Sequence, residues 1–234
     1  MTNRVIDLSQ KQAARLAGLL YLLLAIFGGF AQYMRISLTD NDNATKTAND
    51  ISDSMTLFRL AFVSDLVGQV IFVFLALTLY VLFRPVNEQM SRFFAFFAIL
   101  SVPIVMLNML NHYAVIELLS GDAYLGVYTP AEVNTQVLFR LKMHETGYFI
   151  AQLWFGIWLL PLGIVVNESG YFPKFLGYGL MLASFGYLVD FFTVFLFPSL
   201  ASISAIFSLF AGLGEIVFVL WMVIKGPSLP EMKS

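Results

Sequence analysis

Six long apolar runs dominate this chain, and they constrain its fold more than any other feature. Each is close to the length that an α-helix needs to cross the hydrocarbon core of a bilayer, about 20 residues at about 1.5 Å per residue. The runs cover residues 16–34, 60–83, 93–119, 148–166, 175–197 and 203–224. We therefore predict an all-α fold: an integral membrane bundle of six transmembrane helices that forms a single domain over residues 1–234.

The scarcity of charged residues supports this prediction and excludes several classes of function. Charged residues make up 12% of the chain, whereas a typical soluble domain has about 25%. With 13 Lys and Arg residues and a net charge of -2, the chain offers no basic surface for nucleic acid. It has no Gly-rich phosphate loop. It has no cysteine, which excludes thiolate catalysis and Cys-ligated metals.

The distribution of Lys and Arg predicts the orientation of the helices. An even number of spans places both chain ends on one side, and that side carries Arg4, Lys11, Arg15, Arg84, Arg92, Lys174, Lys225 and Lys233. The opposite side carries Arg35, Lys46, Arg59, Arg140 and Lys142. Because cytoplasmic loops are enriched in Lys and Arg, we predict that both termini are cytoplasmic.

The connections between the spans differ in length and character. The inner connections, 84–92 and 167–174, are short, whereas the outer connections are longer and richer in Asp. The second outer connection contains Thr129-Pro130-Ala131-Glu132, in which Thr is a good helix N-cap and Pro a good first helical residue. We predict that a helix begins at Pro130 and runs into the fourth span.

Ionisable side chains inside the apolar runs are the strongest pointers to function, because charge within a membrane is costly. The candidate ligand- or proton-binding residues are Asp65, His112, His144, Asp190 and Glu215, and the supporting polar residues are Gln69, Asn108, Asn111, Tyr148 and Gln152. At the rise of a helix, the second, third, fifth and sixth spans each hold an ionisable group within about 15 Å of their outer ends. These groups are Asp65, His112, Asp190 and Glu215. The inner half of the membrane is nearly free of them.

The spacing of these residues places several of them on shared helix faces. Asp65 and Gln69 are separated by four positions, as are Asn108 and His112. His144, Tyr148 and Gln152 form a stripe with the same spacing. If these faces turn inward, they form a polar pocket that opens outward and takes a small ligand, an ion or a proton. Membrane lipids are the other expected partners.

Three further interpretations fit the same residues. His112, His144 and Asp190 are a sufficient ligand set for a metal-dependent membrane hydrolase acting on a lipid-like substrate, although no His-Glu-x-x-His pattern is present. The two histidines are also a possible pair of axial haem ligands. Alternatively, the polar residues only hold the helices of a non-catalytic accessory or assembly subunit together. The residue pattern assigns no cofactor and leaves open whether the protein is an enzyme.

Several segments resemble a known family over nearly the whole chain. They are residues 13–21 (AARLAGLLY), 79–87 (LYVLFRPVN), 169–177 (SGYFPKFLG) and 186–190 (GYLVD). A His-x-x-Gly-Tyr pattern, here His144, Gly147 and Tyr148, opens the fourth span. Together these segments resemble an uncharacterised bacterial multi-pass membrane family known as domain of unknown function 4386. The resemblance implies a bacterial inner-membrane protein and supplies no activity.

Overall fold

The computed structural model of the protein describes residues 9–228, and within this range it contains helices and no strand. The seven α-helices are α1 Gln10–Leu38, α2 Ala44–Asp53, α3 Met55–Phe83, α4 Glu88–Leu118, α5 Pro130–Ser169, α6 Lys174–Leu196 and α7 Ala201–Ile224. Two short 3₁₀ segments, Ala123–Val127 and Pro198–Leu200, complete the order. Arg4 and Lys233 lie outside the described residues. The all-α prediction is confirmed.

Six of these helices, all except α2, are long and apolar enough to cross a membrane. Most are longer than the apolar runs that predicted them: α1 and α3 each have 29 residues. A helix of that length spans about 43 Å, close to the thickness of a bilayer including its headgroup layers. The apolar runs mark only the hydrocarbon core, whereas the backbone hydrogen bonds of the helix continue beyond it.

The start of α5 confirms the helix predicted at Pro130. The Thr129 backbone N–H donates to the Glu132 carboxylate over 2.7 Å, and the Glu132 N–H donates to Thr129 Oγ1 over 3.3 Å. This reciprocal pair is a capping box, which satisfies backbone donors that the first turn leaves without partners. From Pro130, α5 continues unbroken for 40 residues.

Helix α2 occupies most of the connection that the sequence marks as polar. Asn43 is its N-cap and accepts a hydrogen bond from the Lys46 backbone N–H over 2.9 Å. Ahead of the cap, the backbone N–H of Asp42 and the ammonium of Lys46 hold the pKa of the Asp40 carboxyl below its usual range. Ala48 and Ile51 of α2 are buried in an apolar cluster whose other members are Phe58, Val115, Ile116, Val137 and Leu141.

The described residues divide into two compact units. The first unit comprises residues 9–22, 71–101 and 152–228, and it contains all of α6 and α7. The second unit comprises residues 23–70 and 102–151. The interpretation of residues 1–234 as a single domain stays a prediction.

Glycines allow close helix packing within the first unit. A Cβ added to Gly177 of α6 would lie 2.7 Å from the Gly163 carbonyl oxygen of α5. A Cβ on Gly186 would lie 2.7 Å from the Phe207 carbonyl oxygen of α7. Small residues at such positions let helix backbones approach closely, which is the usual basis of helix association in membranes.

Candidate functional site

The second unit brings together three side chains with metal-ligating atoms: Asp65 from α3, His112 from α4 and His144 from α5. We call these three residues the triad. One carboxylate oxygen and one ring nitrogen of each histidine all lie within 4.8 Å of one another. The side chains are withdrawn from solvent, with Asp65 and His144 3% exposed and His112 0% exposed. All three are among the residues that the sequence singled out.

His112 is held by one ring nitrogen and leaves the other one available. Its Nε2 lies 3.1 Å from the Phe58 carbonyl oxygen, and since a carbonyl only accepts, Nε2 carries the proton. The His112 ring also packs against the Phe58 ring, with centroids 4.0 Å apart. Among the described residues, nothing hydrogen-bonds to the buried Nδ1. In its neutral form, this imidazole has a buried lone pair at Nδ1 that accepts no hydrogen bond from the described residues.

His144 is positioned by contacts from α4 and by its own helix. Its ring centroid lies 5.8 Å from that of His112 and 5.0 Å from that of Tyr148. Its backbone carbonyl accepts a hydrogen bond from the Asn108 side-chain amide over 2.8 Å. A Cβ on Gly147 would overlap the Asn108 amide. The glycine of the His-x-x-Gly-Tyr pattern is thus the residue that lets Asn108 reach the backbone of His144.

The Asp65 carboxylate has two donors of its own. Arg35 of α1 forms an ion pair with Asp65 Oδ2, and the Tyr148 hydroxyl donates to Oδ1 over 3.1 Å. The Arg35 guanidinium also donates to Gln32 over 3.0 Å, and its Cζ lies 5.6 Å from the centroid of the Tyr148 ring. Hydrogen bonds and the aromatic face together fix the guanidinium beside the triad.

The donor set of the triad suits a transition-metal ion. Two imidazoles and one carboxylate bind Zn²⁺ or Fe²⁺ in many proteins and leave a coordination position open. The ligating atoms around a tetrahedral zinc ion are about 3.3 Å apart. The ligating atoms of the triad lie within 4.8 Å of one another, so modest side-chain rotations would bring them to that spacing. The Nε2–H of His112 donates to a backbone carbonyl, which is the usual way that proteins orient a metal-ligating histidine.

Asp190 and Glu215 belong to the first unit, where each carboxylate has other partners. Asp190 accepts hydrogen bonds from Ser204 over 2.6 Å, from Ser208, and from the Gln152 amide over 2.9 Å. Glu215 accepts from the Tyr187 hydroxyl over 2.7 Å and from the Tyr21 hydroxyl over 3.5 Å. The carboxylate that the structure places beside the two histidines is that of Asp65, whereas the sequence suggested Asp190 as the third metal ligand.

The structure also places two of the predicted supporting residues, Asn111 and Gln69, and adds one site residue that the sequence did not predict, Arg35. Asn111 donates to Asn108 over 3.1 Å, and Gln69 is buried with its Oε1 unpartnered within residues 9–228. Arg35 was not among the predicted site residues because it follows the first apolar run and reads as an outer loop charge. Arg35 lies three residues after Gln32 on a helix that continues to Leu38. The two side chains therefore share one helix face, and this spacing is the sequence signal that could have identified Arg35.

One protein family matches the chain. The model of a family described as domain of unknown function, DUF4386, matches residues 16–226. The chain belongs to the DUF4386 family. Comparison with curated proteins and with solved structures gives no match. The DUF4386 region contains the whole triad together with Arg35 and Tyr148, so the site lies in the family's own domain.

Proposed function

We propose that this DUF4386 protein is a multi-pass membrane protein that binds a divalent transition-metal ion through the triad. The observation that carries the proposal is the grouping of Asp65, His112 and His144, whose ligating atoms lie within 4.8 Å of one another. In addition, the buried Nδ1 of His112 has no hydrogen-bond partner among the described residues. A buried polar atom without a partner costs about 1–3 kcal/mol. Coordination of a metal ion at this position would remove that cost.

The competing interpretation is that these side chains only hold the helices together, as in an accessory or assembly subunit. The Arg35–Asp65 ion pair and the Tyr148 hydrogen bond satisfy the carboxylate without a metal. That arrangement explains why Asp65 is buried. It gives no role to two adjacent imidazoles, one of which has a free lone pair, and we therefore favour metal binding.

A zinc titration with two matched aspartate variants separates these interpretations. The protein is purified through a histidine-free tag, stripped of metal with a chelator, and titrated with zinc against a chromophoric competitor. We expect one zinc ion per wild-type chain. Asp65→Asn and His112→Ala should weaken binding by more than about 100-fold, because loss of an outer-shell partner alone costs about 10–100-fold.

Asp190→Asn is the control, because Asp190 is as buried as Asp65 and belongs to the first unit. It should bind zinc like the wild type. Equal binding by all four proteins would indicate adventitious metal. Absence of binding by the folded wild type, combined with a loss of thermal stability in Asp65→Asn, would favour the structural interpretation instead.

A second candidate function is that of a metal-dependent hydrolase acting on a lipid-like ester or amide. It is favoured by a three-ligand set, which leaves a position for water, and by the Tyr148 hydroxyl next to Asp65. In such a reaction water adds to the carbonyl carbon, the C–O or C–N bond breaks, and a proton passes to the leaving group. Zinc-loaded wild type should cleave fluorogenic lipid esters or amides while His112→Ala does not. Equal rates would contradict the activity.

The location of the protein and its outward-facing polar pocket are also proposals. The excess of Lys and Arg on one side supports cytoplasmic termini. The resemblance to the family supports a bacterial inner-membrane protein, embedded in lipid. An outward-facing pocket, and proton binding by Asp190 and Glu215, stay predictions. For these two carboxylates, Asp190→Asn and Glu215→Gln should lower proton-linked flux in liposomes, and unchanged flux would contradict the prediction.

A further inference from the structure

We infer that the metal ion at the triad binds an oxyanion, a carboxylate or phosphate group, which the Arg35 guanidinium holds at the open coordination position. This inference rests on the proposed metal site and names the chemistry of its ligand. It gives Arg35 a role beyond neutralising Asp65. The argument has three parts, which concern charge, geometry and the source of the anion.

The charge of the site requires an anion once a metal is bound. With neutral imidazoles, the triad, Arg35 and Tyr148 carry no net charge, because the guanidinium balances the carboxylate. A divalent ion raises the charge of this group to about +2. The ion-pair side chains are about nine-tenths buried or more, with side-chain exposures of 9% and 4%. Unbalanced charge at such burial is expensive, so an anionic ligand is the partner that the site favours.

The geometry places donors where such an anion would lie. Arg35 contacts Oδ2 of Asp65, a residue whose carboxylate is within ligating distance of both imidazoles. Coordination of Asp65 to a metal ion draws charge away from the guanidinium and weakens its hold on that oxygen. Gln32 and the Tyr148 ring still keep Arg35 in place. A planar guanidinium with several donors matches the two oxygens of a carboxylate or phosphate.

Cobalt provides the test, because bound Co²⁺ has visible absorption bands that respond to a change of ligand. Metal-stripped wild type, Arg35→Gln and Arg59→Gln are loaded with Co²⁺ and titrated with acetate and with inorganic phosphate. Arg59→Gln is the matched control, since Arg59 is an exposed arginine of α3 in the same unit. We expect anions to shift the bands of the wild type and of Arg59→Gln. Arg35→Gln should bind Co²⁺ but bind the anions at least about tenfold more weakly.

The outcomes separate this inference from the metal site itself. If Co²⁺ binds but the anions have no effect, or bind Arg35→Gln as well as the wild type, the inference is wrong and the metal site stands. If the folded wild type binds no Co²⁺, the proposed function fails and the inference fails with it. Should Arg35→Gln not fold, Arg35→Lys keeps the charge without the planar donor pair, and it should also weaken anion binding. Unchanged anion affinity in Arg35→Lys would overturn the inference.

The same spectra identify the source of the anion. The Co²⁺-loaded wild type is compared in nanodiscs of phosphatidylcholine alone and in nanodiscs that also contain phosphatidate. Band shifts caused by phosphatidate without added salt indicate a lipid headgroup. Shifts that require dissolved acetate or phosphate indicate a soluble ligand. Either result supports the inference, provided that the shift is lost in Arg35→Gln.

Discussion

At the scale of single residues, the surroundings of His112 say most about what this protein binds. Its Nε2 donates to a backbone carbonyl and its ring packs on Phe58, so both the tautomer and the ring orientation are set. A histidine that served only to fill space would not need to lie beside another imidazole and a carboxylate with its second nitrogen free of hydrogen bonds to the described residues. Fixing one nitrogen and freeing the other is how proteins prepare a metal-ligating histidine.

Gly147→Ala should disturb the site although it changes no residue of the triad. The new Cβ would overlap the Asn108 amide, so this side chain must move away and lose its hydrogen bond to the His144 carbonyl, or else α4 and α5 must shift. Overpacking of this kind costs about 1–3 kcal/mol. Thermal unfolding and zinc titration check both effects.

Gly28→Ala is the control for this substitution, because a Cβ at Gly28 meets no atom within 4 Å and Gly28 is in the same unit. It should leave stability and zinc affinity near the wild type. If Gly147→Ala behaves like Gly28→Ala, the role assigned to the Asn108 contact is wrong.

The sequence identified the triad residues but not their grouping. Asp65, His112 and His144 stand out because ionisable groups are rare in apolar runs. Their neighbours depend on the rotation of each helix, and periodicity within one helix carries no information about that. Hence Asp190 was as plausible a third ligand as Asp65. Arg35 was missed because an arginine just beyond an apolar run has the same sequence signature whether it is solvated or buried.

At the scale of helices, the number of long helices followed from hydropathy, whereas their ends did not. Apolar runs report the hydrocarbon core alone, so the first turns of α1 and α3 were read as loop. Helix α2 was missed for a related reason: it is polar, and only a few of its side chains are buried. The start of α5 was predicted correctly because a capping box is a local signal that the sequence contains in full.

Thr129→Ala should loosen the start of α5. It removes the hydroxyl that accepts from the Glu132 N–H, and loss of such a cap costs about 1 kcal/mol. Amide exchange in the first turn of α5 should become faster. Thr135→Ala is the control, because the exposed Thr135 hydroxyl donates to the Ala131 carbonyl of its own helix and caps no helix end. Equal exchange in the two variants would contradict the capping role.

Gly177→Ala should destabilise the packing of α5 against α6. The added Cβ would lie 2.7 Å from the Gly163 carbonyl oxygen, and a backbone atom cannot move aside as a side chain can. We expect a loss of about 1–3 kcal/mol, measured by unfolding in a lipid-like detergent. Gly179→Ala on the same helix meets nothing within 4 Å and should be nearly neutral. A neutral Gly177→Ala would show that the two backbones are not in close contact.

At the scale of the whole molecule, the orientation in the membrane is open to a clean labelling test, because the natural chain has no cysteine. Asp42→Cys and Gln89→Cys introduce single exposed thiols in connections predicted to lie on opposite sides. In intact cells, an impermeant maleimide should label Asp42→Cys, whereas Gln89→Cys should be labelled only after permeabilisation. The reverse pattern would place the termini outside and would overturn the predicted orientation.

The account of the whole molecule depends on one claim, that the triad binds a metal ion, and zinc K-edge X-ray absorption of the zinc-loaded protein tests it most directly. We predict nitrogen and oxygen ligands at about 2.0–2.2 Å, with the outer-shell pattern of two imidazoles. His112→Ala should show one imidazole and Asp190→Asn should show two. A folded wild type that retains no zinc after dialysis, or a spectrum that lacks imidazole scattering, would contradict the claim.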